Sequence, residues 1–352
     1  MGMKASQMKV AALIGAGMVA KTHVSACADS AENMRLKGIM SRSNERARIL
    51  AVDASSITGE EVSVYESVAD IAADSEIDFV VIATPPNVRA ELIAPLAAAG
   101  KHILLEKPIG RTAEESREIV KICQDAGVTL GIVFQHRVRD ASTKAKAIVE
   151  DGKLGQLGLA ELNVPWWREQ AYYDEPGRGT YARDGGGVLI SQAIHTIDLG
   201  LSLTGPVSSV TAMAKTTKFH EMESEDYVVA GLEFANGAVG SMVASTASFP
   251  GGAESITLHF EAASLHLEAG VLTITSRDGK VENFGEEAGT GGGADPMAFS
   301  HEWHQKIIEN FVLTLNGRAE LFVSGQEALL AHELIDATVR AASSGTKQNV
   351  GL

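Results

Sequence analysis

The chain has 352 residues, more than the roughly 250–300 at which single hydrophobic cores stop growing, so length alone predicts two domains. A composition that is 45% apolar and 21% charged is that of a globular protein and excludes a long disordered region. Thirty Lys and Arg against 45 Asp and Glu leave a formal charge of −15, which repels a phosphate backbone and excludes nucleic acid as the expected partner, although a local phosphate site remains possible. No run reaches the roughly 18–20 apolar residues of a membrane span. Residues 1–6 (MGMKAS) fit only the loose myristoylation pattern, and nothing else points to a lipid anchor. Cys27 and Cys123 both fall in helix-like segments and read as buried, reduced thiols, so the expected location is the cytoplasm.

In chain order, residues 9–14 form a compact apolar run ending in glycines, a predicted strand. A helix is expected over 18–28, a short strand over 36–40 and a helix over 44–52. The apolar run 78–83 (DFVVIA) reads as a strand stopped by Pro85-Pro86, and the alanine-rich stretch 88–99 as a helix ended by Gly100. A strand at 102–105, a helix at 113–126 and a strand at 129–134 complete this region. Apolar strands without polar alternation are buried on both faces, and their alternation with helices indicates a doubly wound parallel sheet. Residues 1–137 therefore read as an NAD(P)-binding Rossmann domain.

The pattern then changes. A helix fits 141–151 and a strand 155–165, and Gly185-Gly186-Gly187 opens a helical run over 188–203. Beyond Gly205-Pro206 the chain becomes hairpin-like. Asn236-Gly237 separates strands at 227–234 and 239–245, and Asp278-Gly279 is a second two-residue turn. The glycine-rich stretch 285–293 reads as a mobile loop, and helices near 301–315 and 325–342 close the chain. Residues 138–352 thus form an expected α+β domain with a large, mainly antiparallel sheet, for substrate binding and oligomerisation. An exposed antiparallel sheet face invites a homodimer or homotetramer.

Gly15-Ala16-Gly17-Met18-Val19-Ala20 has the form G-x-G-x-x-A between the first strand and the first helix. Gly15 permits the tight turn, Gly17 lets the backbone approach a pyrophosphate, and the small Ala20 lets helix and strand pack. The helix start, from Met18 and Val19, offers free N–H groups and a partial positive charge to phosphate. NAD-binding folds usually place an acid at the end of the second strand to hold the ribose 2′-hydroxyl. Here that position reads Met40-Ser41-Arg42-Ser43, and a hydroxyl with a guanidinium suits a 2′-phosphate, which favours NADP over NAD. Thr84, Pro85 and Asn87 follow an apolar strand at its carboxyl end, where ligands bind in open α/β sheets.

Glu106-Lys107-Pro108 ends the strand that begins at His102. The glycine motif, the Thr84-Pro85-Pro86-Asn87 loop, this triplet, and the later triple glycine with His195-x-x-Asp198 together resemble the glucose–fructose oxidoreductase / inositol dehydrogenase (Gfo/Idh/MocA) family over nearly the whole chain. The resemblance implies that Glu106 and Lys107 lie at the cofactor, that Lys107 hydrogen-bonds the reacting oxygen, and that the Lys-Pro bond is cis. A partly desolvated lysine can supply a proton or positive charge at a developing alkoxide, which agrees. The resemblance also implies a catalytic or substrate-binding role for His195, whose imidazole can exchange a hydroxyl proton near neutral pH. Relatives often carry an Asp four residues before this histidine; this chain has Ser191, which can bond a substrate hydroxyl but cannot act as a carboxylate base. Asp198 reads as an orienting or ion-pair residue.

Trp166-Trp167-Arg168 and Tyr172-Tyr173, with Arg178, form an aromatic and basic cluster. Aromatic faces suit sugar C–H surfaces, and Trp167 and Arg178 are the substrate-binding candidates there. Gln135, His136 and Arg137 end the last Rossmann strand and either face the cleft or serve packing. His301-x-x-His304 lacks the i, i+4 spacing of a zinc helix and any apparent third ligand, so no metal is expected. The leading expectation is an NAD(P)-dependent dehydrogenase or reductase acting on a hydroxyl-bearing carbon of a sugar, polyol or related small molecule. Two other readings stay open. A non-catalytic NADP-binding regulator predicts a degraded triplet or a missing histidine. A hydrolase or eliminase using tightly bound NAD transiently predicts a cofactor that co-purifies.

Overall fold

The computed structural model describes residues 8–30, 33–287 and 300–351. The myristoylation pattern and residues 288–293 of the glycine-rich stretch lie outside the described residues. The chain forms two compact units. The first comprises residues up to Gly110, Glu114–Gln135 and Ser300–Ala328; the second comprises Arg111–Ala113 and most of the chain from His136 on.

The first unit is a six-stranded parallel sheet in the order β3-β2-β1-β4-β5-β6. Its elements are β1 (Lys9–Ile14), α1 (Ala20–Asp29), β2 (Met34–Met40), α2 (Asn44–Thr58), β3 (Ser63–Val64), α3 (Val68–Ala73), β4 (Phe79–Ile82), α4 (Arg89–Ala98), β5 (His102–Glu106), α5 (Ala113–Asp125) and β6 (Leu130–Val133). All four residues of β4 are fully buried, as an apolar central strand requires. Ser43 and Ser67 cap α2 and α3 by accepting the N–H of Arg46 and Asp70, contacts worth about 1 kcal/mol each. Helix α2 runs past residue 52 to Thr58 and ends on Gly59 at φ 72°. The short β3 and α3 carry too few residues to show a hydrophobic period in the sequence. Cys27 and Cys123 are free and buried, and burial pushes each thiol up to about 12.

The second unit contains α6 (Asp140–Glu150), β7 (Leu157–Pro165), α7 (Gln170–Tyr173), a π-helical turn at Leu189–Ala193 leading into α8 (Ile194–Thr204), and then β8 (Val207–Lys215), β9 (Tyr227–Phe234), β10 (Val239–Ser245), β11 (Ser255–Phe260), β12 (Ala263–Glu268), β13 (Val271–Ser276) and β14 (Val281–Phe284). In chain order come α9 (Glu302–Leu315), which is part of the first unit, then α10 (Gly325–Ser344), most of which is in the second, and β15 (Gln348–Asn349). The nine-stranded sheet runs β14-β13-β12-β11-β7-β10-β9-β8-β15. Every pairing in it is antiparallel except β7 with β10. Burial alternates along β7, with Ala160, Leu162 and Val164 buried and Leu159, Glu161 and Asn163 exposed, so one face is packed and the other open. Asn236-Gly237 closes the β9–β10 hairpin with Gly237 at φ 90°, and Gly279 closes the next predicted turn at φ 87°.

Residues 300–328, which the sequence reading placed in the second domain, belong to the first unit. The reason is packing. Phe311 of α9 lies on β6, where a Cβ at Gly131 would come within 2.8 Å of its ring, and it meets Phe79 of β4 at a ring separation of 5.4 Å. A glycine in the strand makes the space that an aromatic from a distant helix fills.

Candidate active site

Gly15 donates its N–H to Met40 O at 2.8 Å, so the first turn is tied to the end of β2. It has φ +117°, and a Cβ there would stand 2.6 Å from Ala83 O, so only glycine fits. At Gly17 a Cβ would meet nothing within 4 Å, which leaves open space in front of α1. Met18 is exposed, Val19 half-buried and Ala20 buried. The N-cap Val19 supplies no side-chain bond and the first turn carries no acid, so the helix start keeps its positive end for a ligand. These residues fit the pyrophosphate of a dinucleotide. Ser41 is half-buried and Arg42 exposed just past β2, in reach of solvent. Thr84 is half-buried with its Oγ1 lacking a hydrogen-bond partner, while Pro85 and Asn87 are exposed.

Sequence reasoning missed the residue that ties this loop to the next one. Arg89 is 2% exposed, and its guanidinium donates to Thr84 O (Nε 3.0 Å, Nη2 2.6 Å), to Glu106 O and to Pro108 O. Burial pulls its pKa down to about 10, opposed by the charge of Glu106, so it stays a cation at neutral pH. The signal in the sequence was an arginine opening a helix whose remaining residues, apart from Glu91, are apolar. The Lys107–Pro108 bond is cis, as the resemblance implies, and Lys107 is half-buried.

Glu106, expected at the cofactor, turns its carboxylate inward. Its Oε1 lies 2.9 Å from His23 Nε2 and 3.4 Å from His304 Nε2, and its Oε2 accepts the Lys107 N–H at 3.2 Å. The two imidazoles meet edge-on at 5.0 Å. The H-x-x-H pair therefore splits: His301 faces Asp29 at 2.7 Å, while His304 faces Glu106. Burial alone would raise the Glu106 carboxyl, but hydrogen bonds from His23 and His304 more than reverse this and hold it well below the usual carboxylate range. Burial lowers His304 below its ordinary 6.5. Both folded-state values are depressed, so both groups contribute stability that is complete above the unfolded values and lost on acidification. Thermal unfolding followed from pH 8 to pH 4 is expected to show a melting temperature that holds near neutrality, falls as pH drops through 6.5 and His304 charges first in the unfolded chain, and falls again in the carboxylate range. A melting temperature that rises on acidification would contradict the assignment.

In the second unit, the triple glycine sets the approach to α8. A Cβ at Gly187 would lie 1.8 Å from Glu225 O. Glu225 is buried and caps the helical run: Val188 N–H donates to its carbonyl at 2.9 Å and Leu189 N–H to its Oε1 at 3.2 Å. Burial raises its carboxyl. Ser191 is half-buried within the π-helical turn, a distortion frequent at functional positions. His195 is buried and stacks on His136 at 4.7 Å and 22°. Asp198 forms a two-pronged ion pair with Arg137, with both N···O distances 2.7 Å, as an orienting residue should. Arg178 pairs with Glu175 at 2.7 Å and lies over the Tyr172 ring at 4.6 Å, and Tyr172 OH accepts from Gln192, the neighbour of Ser191. Trp167 stands at the other end of the aromatic chain, edge-on to Phe219 and Phe249 and 5.6 Å from His220. His220 is tied to Asp226 at 2.7 Å and to Arg168 O at 2.8 Å, so it serves the frame.

Residues 9–134 match the family described as oxidoreductases with an NAD-binding Rossmann fold, and residues 142–266 match the C-terminal domain of the same Gfo/Idh/MocA group. The chain belongs to the Gfo/Idh/MocA oxidoreductase family. It is 33% identical over 171 residues to an uncharacterised oxidoreductase of Schizosaccharomyces pombe, covering 47% of this chain and 45% of that protein. It is 31% identical over 207 residues to the rhizopine catabolism protein MocA of Rhizobium meliloti, covering 58% and 61%. The chain thus spans about half to two thirds of the length of these curated relatives. Among solved structures, the WlbA dehydrogenase of Bordetella pertussis in complex with NADH and UDP-GlcNAcA superposes with a TM-score of 0.82 at 28% identity, covering 98% of this chain and all of that one. Among the described residues, no helix is long and apolar enough to cross a membrane.

Proposed function

We propose that this family member is an NAD(P)-dependent dehydrogenase or reductase, moving a hydride between nicotinamide and a hydroxyl-bearing carbon of a sugar, polyol or related small molecule. The observation that carries the reading is the half-buried Lys107, its backbone held by Glu106 and flanked by the carbonyls that Arg89 binds, in a unit whose glycine turn fits a dinucleotide. The bound nicotinamide supplies the hydride acceptor or donor. Gly15, Gly17, Met18 and Val19 receive the pyrophosphate, and Thr84, Pro85 and Asn87 border the cofactor. Lys107 holds or moves the proton of the reacting oxygen. His195 exchanges a substrate proton, and Arg178, Ser191 and Trp167 orient hydroxyl groups. The relative WlbA binds NADH and a nucleotide sugar, which supports a carbohydrate-like substrate here. We also place the protein in the cytoplasm, in keeping with two buried free thiols, and as a homodimer or homotetramer through the open sheet face.

NADP is the preferred cofactor in this reading, because Ser41 and Arg42 stand where an NAD enzyme usually carries an acid. Arg42→Ala is expected to weaken NADP binding by roughly tenfold, the loss of about 1.5 kcal/mol or more of charge-assisted bonding, and to leave NAD unchanged. Calorimetric titration of both nucleotides checks it; equal dissociation constants before and after the change would assign the chain to NAD. The wider reading is tested by titrating cofactor-stripped protein with each nucleotide and then following nicotinamide absorbance across a panel of sugars and polyols. Binding without reduction or oxidation of any panel member would favour a regulator. Cofactor that survives purification and shows no net change during turnover would favour internally recycled NAD.

A further inference from the structure

We propose that His304, brought by α9 from the far end of the chain, is a positioning residue for Lys107, acting through Glu106. The inference rests on the reading of Lys107 as the group at the reacting oxygen. The geometry is a short relay inside the first unit. His304 Nε2 and His23 Nε2 both face Glu106 Oε1, at 3.4 and 2.9 Å. A carboxylate only accepts, so each Nε2 carries the proton. The other oxygen, Oε2, accepts the Lys107 backbone N–H at 3.2 Å. Arg89 meanwhile holds the carbonyls of Glu106 and Pro108, on either side of the lysine. The origin of the Lys107 side chain is thus set by an inward-facing carboxylate whose own rotamer is set by two imidazoles. His23 comes from α1, behind the glycine turn, while His304 comes from a segment with no other part in the motifs. All three side chains are buried, at 1%, 9% and 1% exposure for His23, Glu106 and His304, so water cannot substitute for a missing donor without opening the core.

The same three donor atoms lie within 4.8 Å of one another, a set that could also hold a divalent cation. Charge argues against it. Glu106 already carries the buried Arg89 cation as a compensating neighbour, with Lys107 next in the chain. A divalent ion would add two positive charges to a buried site with one carboxylate to offset them. The hydrogen-bonded relay leaves the site close to neutral, with the His23 contact at 2.9 Å and the longer His304 contact at 3.4 Å.

The test compares three forms of the full chain. His304→Leu removes the donor at similar volume. His304→Gln keeps an amide N–H near the position of Nε2. Three properties are measured on each: the dissociation constant for NADH, the rate at which Lys107 is labelled by an amine-reactive reagent (read by peptide mass spectrometry), and turnover on whichever panel polyol the native protein accepts. The leucine variant is expected to bind NADH like the native protein, to change the Lys107 labelling rate several-fold, and to lose turnover on the order of tenfold or more, as misplacement of a reacting group does. The glutamine variant should recover both. If the leucine variant does not fold, His304→Asn takes its place, since its shorter amide falls short of Glu106. Native-like labelling in the leucine or asparagine variant overturns the proposal, as does an equal loss in the leucine and glutamine variants. One equivalent of zinc in the purified native protein, lost in the variants, would assign the cluster to a metal instead. If the native protein turns over no panel member, the dehydrogenase reading fails while Lys107 labelling still decides the positioning role.

Discussion

Lys107→Ala is expected to lower turnover by about 10²–10⁴-fold, the range for loss of a positioned acid–base group, with NADH affinity close to native. The second half of that expectation follows from where the binding groups lie. The glycine turn and the start of α1 form without the lysine side chain, and Gly15 is tied to Met40 and confined by Ala83 whatever occupies position 107. Lys107→Arg separates the two services a lysine can provide. Arginine keeps a positive charge but does not give up its proton near neutral pH. An arginine variant as inactive as alanine would point to proton transfer; one that recovers most turnover would point to electrostatic stabilisation of the oxygen. Steady-state rates on an accepted polyol, with NADH titration of each variant, check both. Unchanged turnover in Lys107→Ala would remove the lysine from the mechanism.

Arg89→Met is expected to be the most destabilising single change in the first unit. The guanidinium is buried at 2% exposure and donates to Thr84, Glu106 and Pro108, so methionine of similar length leaves three carbonyl oxygens without that donor. It also removes the cation beside the buried Glu106 carboxylate. Leaving buried acceptors without their donor costs about 1–3 kcal/mol each, which puts the loss at roughly 3–5 kcal/mol here. At roughly 2–4 °C per kcal/mol for a unit of this size, the melting temperature should fall by about 10 °C or more. Arg89→Lys should fall between the two, because a lysine keeps the charge but cannot span both loops with its single nitrogen. Differential scanning calorimetry checks the series. A methionine variant that melts within a degree or two of native would show that the two loops hold without the arginine. Because Arg89 sits between the Thr84 loop and the Glu106 loop, the same variant is expected to weaken cofactor binding.

What the chain order alone determined was whatever depends on neighbours in sequence. The apolar run 78–83 is too uniformly buried to be anything but a central strand, and β4 is that strand. The Gly15-x-Gly17 turn is local backbone geometry, which the φ of Gly15 and the open space at Gly17 express directly. The Asn236-Gly237 hairpin is a two-residue rule, and β9 and β10 pair about it in register. The Glu106-Lys107-Pro108 triplet and the triple glycine carried the family by their own composition. Tertiary structure decided what depends on residues far apart. The family resemblance implies that Glu106 lies at the cofactor; what only the tertiary structure shows is that its carboxylate is also an internal anchor, because His23 and His304, 83 residues before it and 198 after it in the numbering, converge on it. Arg89 looked like one more helix residue. It became a staple because its fork of N–H groups matches carbonyls from two loops that only the parallel sheet brings side by side. Helix α9 read as part of the second domain by position and belongs to the first because Phe311 fills the space above Gly131. Periodicity and turn chemistry act within a few residues and are written in sequence, whereas buried polar partnerships are set by three-dimensional convergence, which no spacing along the chain records.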